Sequence, residues 1–112
     1  MTVIAERTLF LKQKTEATPV VVRVFRPEFD EPGWRCRYQI EWPHGVKEMQ
    51  SGGFDAMQAL TIALQMIGAE IYASPYHQSG KLFWERAGGG YGFPVVSSLR
   101  DLLVGDDVES AG

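Results

Sequence analysis

The stretch Trp34-Arg35-Cys36-Arg37-Tyr38-Gln39-Ile40-Glu41-Trp42 decides the fold. Trp34, Cys36, Tyr38, Ile40 and Trp42 alternate with Arg35, Arg37, Gln39 and Glu41. A period of two sends one row of side chains into a core and the other into water. The stretch is therefore an antiparallel strand with one covered face, and it needs both neighbours and a cover.

The neighbours lie on either side in sequence. Pro43-His44-Gly45 is turn chemistry, with Gly45 free to take positive φ. Val46–Ser51 returns as a strand, closed by Gly52-Gly53. Upstream, Val20-Val21-Val22-Arg23-Val24-Phe25 is β-branched and bounded by Pro19 and Pro27, which predicts another strand. Between them, Pro27 to Gly33 carries two prolines, acids and a glycine and predicts a loop. Val3–Leu11 alternates loosely, with Arg7 on the nominally inner side, and predicts the first strand. Gln13–Thr18 is a polar turn, and Lys81–Glu85 is a candidate fifth strand.

The cover is a helix. Asp55 is placed to cap it, Phe54 to staple onto its first turn, and Pro75 to stop it near Ser74. Met57, Leu60, Leu64, Ile67 and Ile71 form one apolar stripe at helical spacing, expected against the sheet. Ile62, Met66, Ala69 and Ala73 form a second stripe and are the candidate interface. Its cover is either the C-terminal third of the chain or a partner. Gly68 would admit a neighbouring backbone at close range.

These elements predict an α+β fold, a four- to five-stranded antiparallel meander with one long helix packed on one face. The 112 residues fit one domain, expected over 1–104, with a short helix starting near Ser98. Residues 105–112 are expected to be a disordered acidic tail. There are no internal repeats.

Composition excludes some classes of function. The net charge of −3 lacks the basic excess of a dedicated nucleic-acid binder. Cys36 is the single cysteine, so no intrachain disulfide forms. Met1–Lys12 lacks the basic start and apolar run of a signal peptide. Both points lead us to expect a cytoplasmic protein. Ala56–Ala73 is the longest apolar stretch, but Gln58, Gln65 and Glu70 make it unsuitable as a membrane span.

No catalytic set emerges. Gly88-Gly89-Gly90-Tyr91-Gly92 lacks the strand and helix that would aim backbone N–H groups at a phosphate. Ser79-Gly80-Lys81 has Pro75 and Leu82 where a phosphate loop needs glycine and a hydroxyl. Cys36 lies in the inward row of the best strand, which reads as a buried thiol and not a nucleophile served by His44 or His77. Two histidines without paired spacing do not make a metal site, and no cofactor is expected. Glu41 and Glu48 fall on adjacent strands, an arrangement that more often means solvated carboxylates than an acid–base pair.

Three surfaces remain as binding candidates. The late aromatics, with a histidine among them, form a possible pocket wall: Tyr76, His77, Trp84, Tyr91 and Phe93. The plainer alternative is that these rings cover the second helix stripe. Arg23, Arg35 and Arg37 share the predicted outer face of the sheet, near Phe25, and could hold single-stranded RNA. The plainer alternative there is a charged face interleaved with Glu6, Gln39 and Glu41. The third candidate is the second helix stripe.

Ile4-Ala5-Glu6-Arg7-Thr8-Leu9, Trp34-x-Cys36-x-Tyr38-x-Ile40, Gly53-Phe54-Asp55-Ala56-x-Gln58-Ala59-Leu60, Ile67-Gly68-Ala69-Glu70-x-Tyr72 and Gly92-Phe93-Pro94 together resemble a family of small uncharacterised bacterial proteins, a domain of unknown function. The resemblance spans Ile4 to Pro94 and leaves Val95–Gly112 outside. It implies a stand-alone bacterial protein and assigns no activity and no catalytic residues. In layout alone the order of elements is also similar to small antitoxins of the HicB type and to several immunity proteins.

The leading expectation is a non-enzymatic protein-binding module, either a homodimer or a small antitoxin-like or immunity-like partner. Its rival is a small enzyme or small-molecule-binding protein with a pocket near the C-terminal aromatics. RNA binding on the arginine face is the third. No membrane partner is expected.

Overall fold

The structure is a computed structural model and describes residues 2–95. The expected helix near Ser98 and the acidic tail lie outside the described residues. Strands run over Val3–Lys12 (β1), Ala17–Phe25 (β2), Glu28–Asp30 (β3), Gly33–Trp42 (β4), Gly45–Gly53 (β5) and Leu82–Phe83 (β6). Helices run over Ala56–Ala73 (α1) and Pro75–Gln78 (α2). Among the described residues the strands make one six-stranded antiparallel sheet, with α1 packed against it. The predicted α+β meander is the fold.

The decisive strand, β4, takes β5 along one edge and β2 followed by β3 along the other. Trp42 pairs with Gly45 across the Pro43-His44 turn, and the ladder continues to Trp34 opposite Gly53. Val22 faces Ile40 and Val24 faces Tyr38, so the apolar rows of β2 and β4 share one side of the sheet. Cys36, Tyr38, Ile40, Val20 and Val22 are fully buried there.

The chain divides into two compact units, residues 2–8 with 20–64 and residues 9–19 with 65–95, so β1, β2 and α1 each contribute to both. In the first unit, α1 begins under a cap of two bonds. Asp55 Oδ1 accepts the Gln58 N–H at 2.7 Å, and Gln58 Oε1 accepts the Phe54 N–H at 2.7 Å. The helix then comes down close on β5. A Cβ at Gly53 would lie 2.6 Å from the Ala59 nitrogen, and Ser51 Oγ donates to the Ala59 carbonyl at 2.5 Å. In the second unit, β6 pairs with β1 at Phe10–Phe83 and Leu11–Leu82, and the segment 93–95 crosses α1 at Gly68. A Cβ on Gly68 would lie 2.7 Å from the Pro94 carbonyl oxygen, so the close approach expected of that glycine is present.

Four local expectations are corrected. Glu28–Asp30, inside the predicted Pro27–Gly33 loop, forms β3 by folding back on Gly33–Arg35 around Glu31-Pro32. The candidate strand Lys81–Glu85 contracts to Leu82–Phe83, since Glu85 takes φ 62°, a left-handed conformation that breaks a ladder. Phe54 does not staple onto the helix and is 96% exposed. Met57, assigned to the inner stripe, is 74% exposed, while Leu60 and Leu64 are half-buried. Ile67 and Ile71 of that stripe are buried as expected, and the seam continues from them through Ala63 and Ala59, one residue per turn. Small residues at 53, 59 and 63 let the helix backbone drop onto the strand, and that rotation leaves Met57 outside.

Candidate functional site

The late aromatics belong to the second unit, and the fold joins some of them. Ser74 Oγ accepts the His77 N–H at 3.1 Å and caps the single turn of α2, with Pro75 at its start. That turn sets His77 Nδ1 2.6 Å from Tyr91 Oη, and Tyr91 Oη donates to the Leu82 carbonyl at 3.3 Å. Tyr72, from the last turns of α1, meets both rings edge-on at centroid distances of 4.7 and 5.3 Å. Burial lowers the His77 pKa. Tyr91 and Phe93 are buried, Tyr76 and Trp84 are half-buried, and Trp84 bridges to Arg86. The rings close on one another and tie the glycine-rich segment to the end of α1. Sequence placed His77 and Tyr91 in one group but left out Tyr72.

The second helix stripe is split between the units. Ile62 is half-buried in the first; in the second, Met66 and Ala69 are half-buried and Ala73 is exposed. The segment Phe93-Pro94-Val95 lies over Gly68 instead, with Phe93 Cβ and Val95 Cγ2 each 3.4 Å from the place of its missing Cβ.

In the first unit the arginines do share one face, opposite Cys36 and Tyr38, because Arg23 pairs with Gln39 in register. Their settings differ. Arg23 is neutralised by Glu6 at 2.7 Å and Glu41 at 3.1 Å, and hydrogen bonds to Glu41 and then Glu6 raise its pKa above the usual value. Gln39 Nε2 donates to Glu48 Oε2 at 2.9 Å. Arg35 and Arg37 instead line a cleft of about 280 Å³ together with Phe25, Arg26, Phe29 and Gln50. Glu28 and Asp30 also border this cleft.

A second depression in the first unit, of about 330 Å³, lies where β4 and β5 meet the start of α1. Pro32, Phe54, Gln58 and Ile62 line it, with Arg35 and the glycines at 33, 52 and 53. Phe54 and Met57 stand exposed three residues apart, either side of the Asp55 cap. Sequence reasoning missed Phe54, Met57 and Pro32 as surface features. The available signal was the glycine pair before Phe54, which leaves no bulky neighbour to cover that ring.

Among the described residues no group of three or more His, Cys, Asp or Glu side chains is arranged to hold a metal, and no helix is long and apolar enough to cross a membrane. The geometry thus defines a small sheet-and-helix domain with surface clefts. Residues 5–95 match the family described as a domain of unknown function, DUF6968, and the chain belongs to that family. No curated protein and no solved structure matches the chain.

Proposed function

We propose that this chain is a non-enzymatic protein-binding module of the bacterial cytoplasm, either a homodimer or itself a small antitoxin-like or immunity-like partner of another protein. The observation that carries this reading is the apolar surface at the start of α1. Phe54, 96% exposed, lines a depression with Pro32 and Ile62, and Met57 in the first turn of the helix is 74% exposed. Burying one such side chain contributes about 1.5–3 kcal/mol. A few buried aromatic anchors carry most of the free energy of typical interfaces. The cytoplasmic setting belongs to the same proposal: a single, buried thiol suits a reducing compartment.

The test is light scattering on the chromatographed protein from its native host, with mass spectrometry of whatever elutes in stoichiometric amount. We expect a dimer or a defined complex, and we expect Phe54→Ser with Met57→Ser to dissolve it while leaving the circular dichroism of the folded chain unchanged. A monomer with no stoichiometric companion would sink the reading.

A further inference from the structure

We propose that the arginine-lined cleft on the outer face of the first unit is a binding site for a small organic anion, one with a phosphate or carboxylate head and a flat apolar body. Arg35 carries the argument. Its guanidinium lies across Gly52, where a Cβ would sit 2.8 Å from Nη1, and Nη1 donates to the Trp34 carbonyl at 3.3 Å. The bare glycine thus makes room for the guanidinium, whose hydrogen-bond partner among the described residues is a neutral backbone oxygen. Glu28 stands directly across from Arg35 in the β3–β4 register, yet the two form no ion pair. Arg26, on the same cleft, also forms none among the described residues.

Arg26 and Arg35, neither of them in an ion pair among the described residues, line the cleft with Arg37, Glu28 and Asp30. The cleft thus gathers three arginines on a chain whose net charge is −3. Planar guanidinium forks match the geometry of phosphate and carboxylate. Gln50 adds a neutral amide, the buried Phe25 and the exposed Phe29 add apolar surface, and the volume of about 280 Å³ is that of a small ligand. A site this size takes one anionic group and one ring. The contrast within the same face is Arg23, already saturated by Glu6 and Glu41.

The experiment is a titration of the ¹⁵N-labelled full chain at low salt with phenyl phosphate, benzoate and inorganic phosphate. The readout is the Arg35 Nε and Gln50 side-chain resonances. We expect saturable shifts there, with phenyl phosphate binding at least about tenfold more tightly than inorganic phosphate, equivalent to about 1.4 kcal/mol. Arg35→Gln should weaken binding at least tenfold at unchanged Tm, and Gly52→Ala should weaken it by displacing the guanidinium. Arg23→Gln should leave it unaltered. A preference between phenyl phosphate and benzoate names the head group of the ligand. Absence of saturation by any of the three up to about 10 mM would overturn the proposal. So would binding confined to single-stranded oligonucleotides and growing with their length, which would give the face to nucleic acid.

Discussion

The imidazole of His77 is wedged between Tyr72 and Tyr91, and burial lowers its pKa below the ordinary value. The unfolded chain then binds a proton more readily than the folded one, so protonation favours unfolding. The contribution of neutral His77 to stability is complete above the unfolded pKa of about 6.5. It is lost as pH falls from there through the lower folded value. We therefore expect Tm to decline on acidification below about pH 6.5, with a shallower decline in His77→Gln; identical slopes for the two proteins would exclude His77 as the cause. At this scale the sequence was legible where alternation is strict. Cys36 and Tyr38 could be placed in the core because their whole strand alternates. The meeting of His77 with Tyr72 and Tyr91 was not legible, because it depends on how a single turn of α2 redirects the chain after Pro75.

At the scale of elements, the helix shows what apolar spacing leaves undetermined. Two apolar stripes were visible, but the buried seam follows the first only at Ile67 and Ile71 and then passes between the two through Ala59 and Ala63. Hydrophobic content ranks Met57 above alanine, whereas the close approach at Gly53 favours the smaller side chain. This distinction is measurable. Ile67→Ala, at a fully buried site, should cost about 2–5 kcal/mol. Leu64→Ala, at a half-buried site, should cost clearly less, and denaturant titration of the two variants checks the order. Equal costs would mean that Leu64 is as enclosed as Ile67. β3 was missed for a related reason. Two prolines and three acids in seven residues read as loop, yet a three-residue ladder needs only the right turn to fold back on Gly33–Arg35. The arginine cleft that β3 completes was consequently only half visible: Arg35 and Arg37 were placed on one face, without Arg26 or Phe29.

At the scale of the molecule, the strand sequence and the single covering helix followed from hydrophobic patterning, since each apolar face has one way to be buried. The family match adds no chemistry to that frame, so the surfaces must be tested directly. Cys36 offers a measure of how the fold opens. The thiol is fully buried beneath the Phe25 carbonyl at 3.4 Å, and burial raises its pKa. Labelling by a thiol reagent in native buffer should be at least about a thousandfold slower than in the unfolded chain. Its rate should follow global unfolding as denaturant is added. Fast labelling without denaturant would show a local opening of β4.

The pairing of β1 with β6 joins Phe10 to Phe83 and Leu11 to Leu82. During synthesis at about 5–20 residues per second, the first strand emerges seconds before the strand that completes its edge. Throughout that interval the nascent chain presents Phe10 and Leu11 without their final partners. The ribosome must therefore release nearly all the described residues before the end of β1 is closed, and a chaperone would meet this protein at that edge.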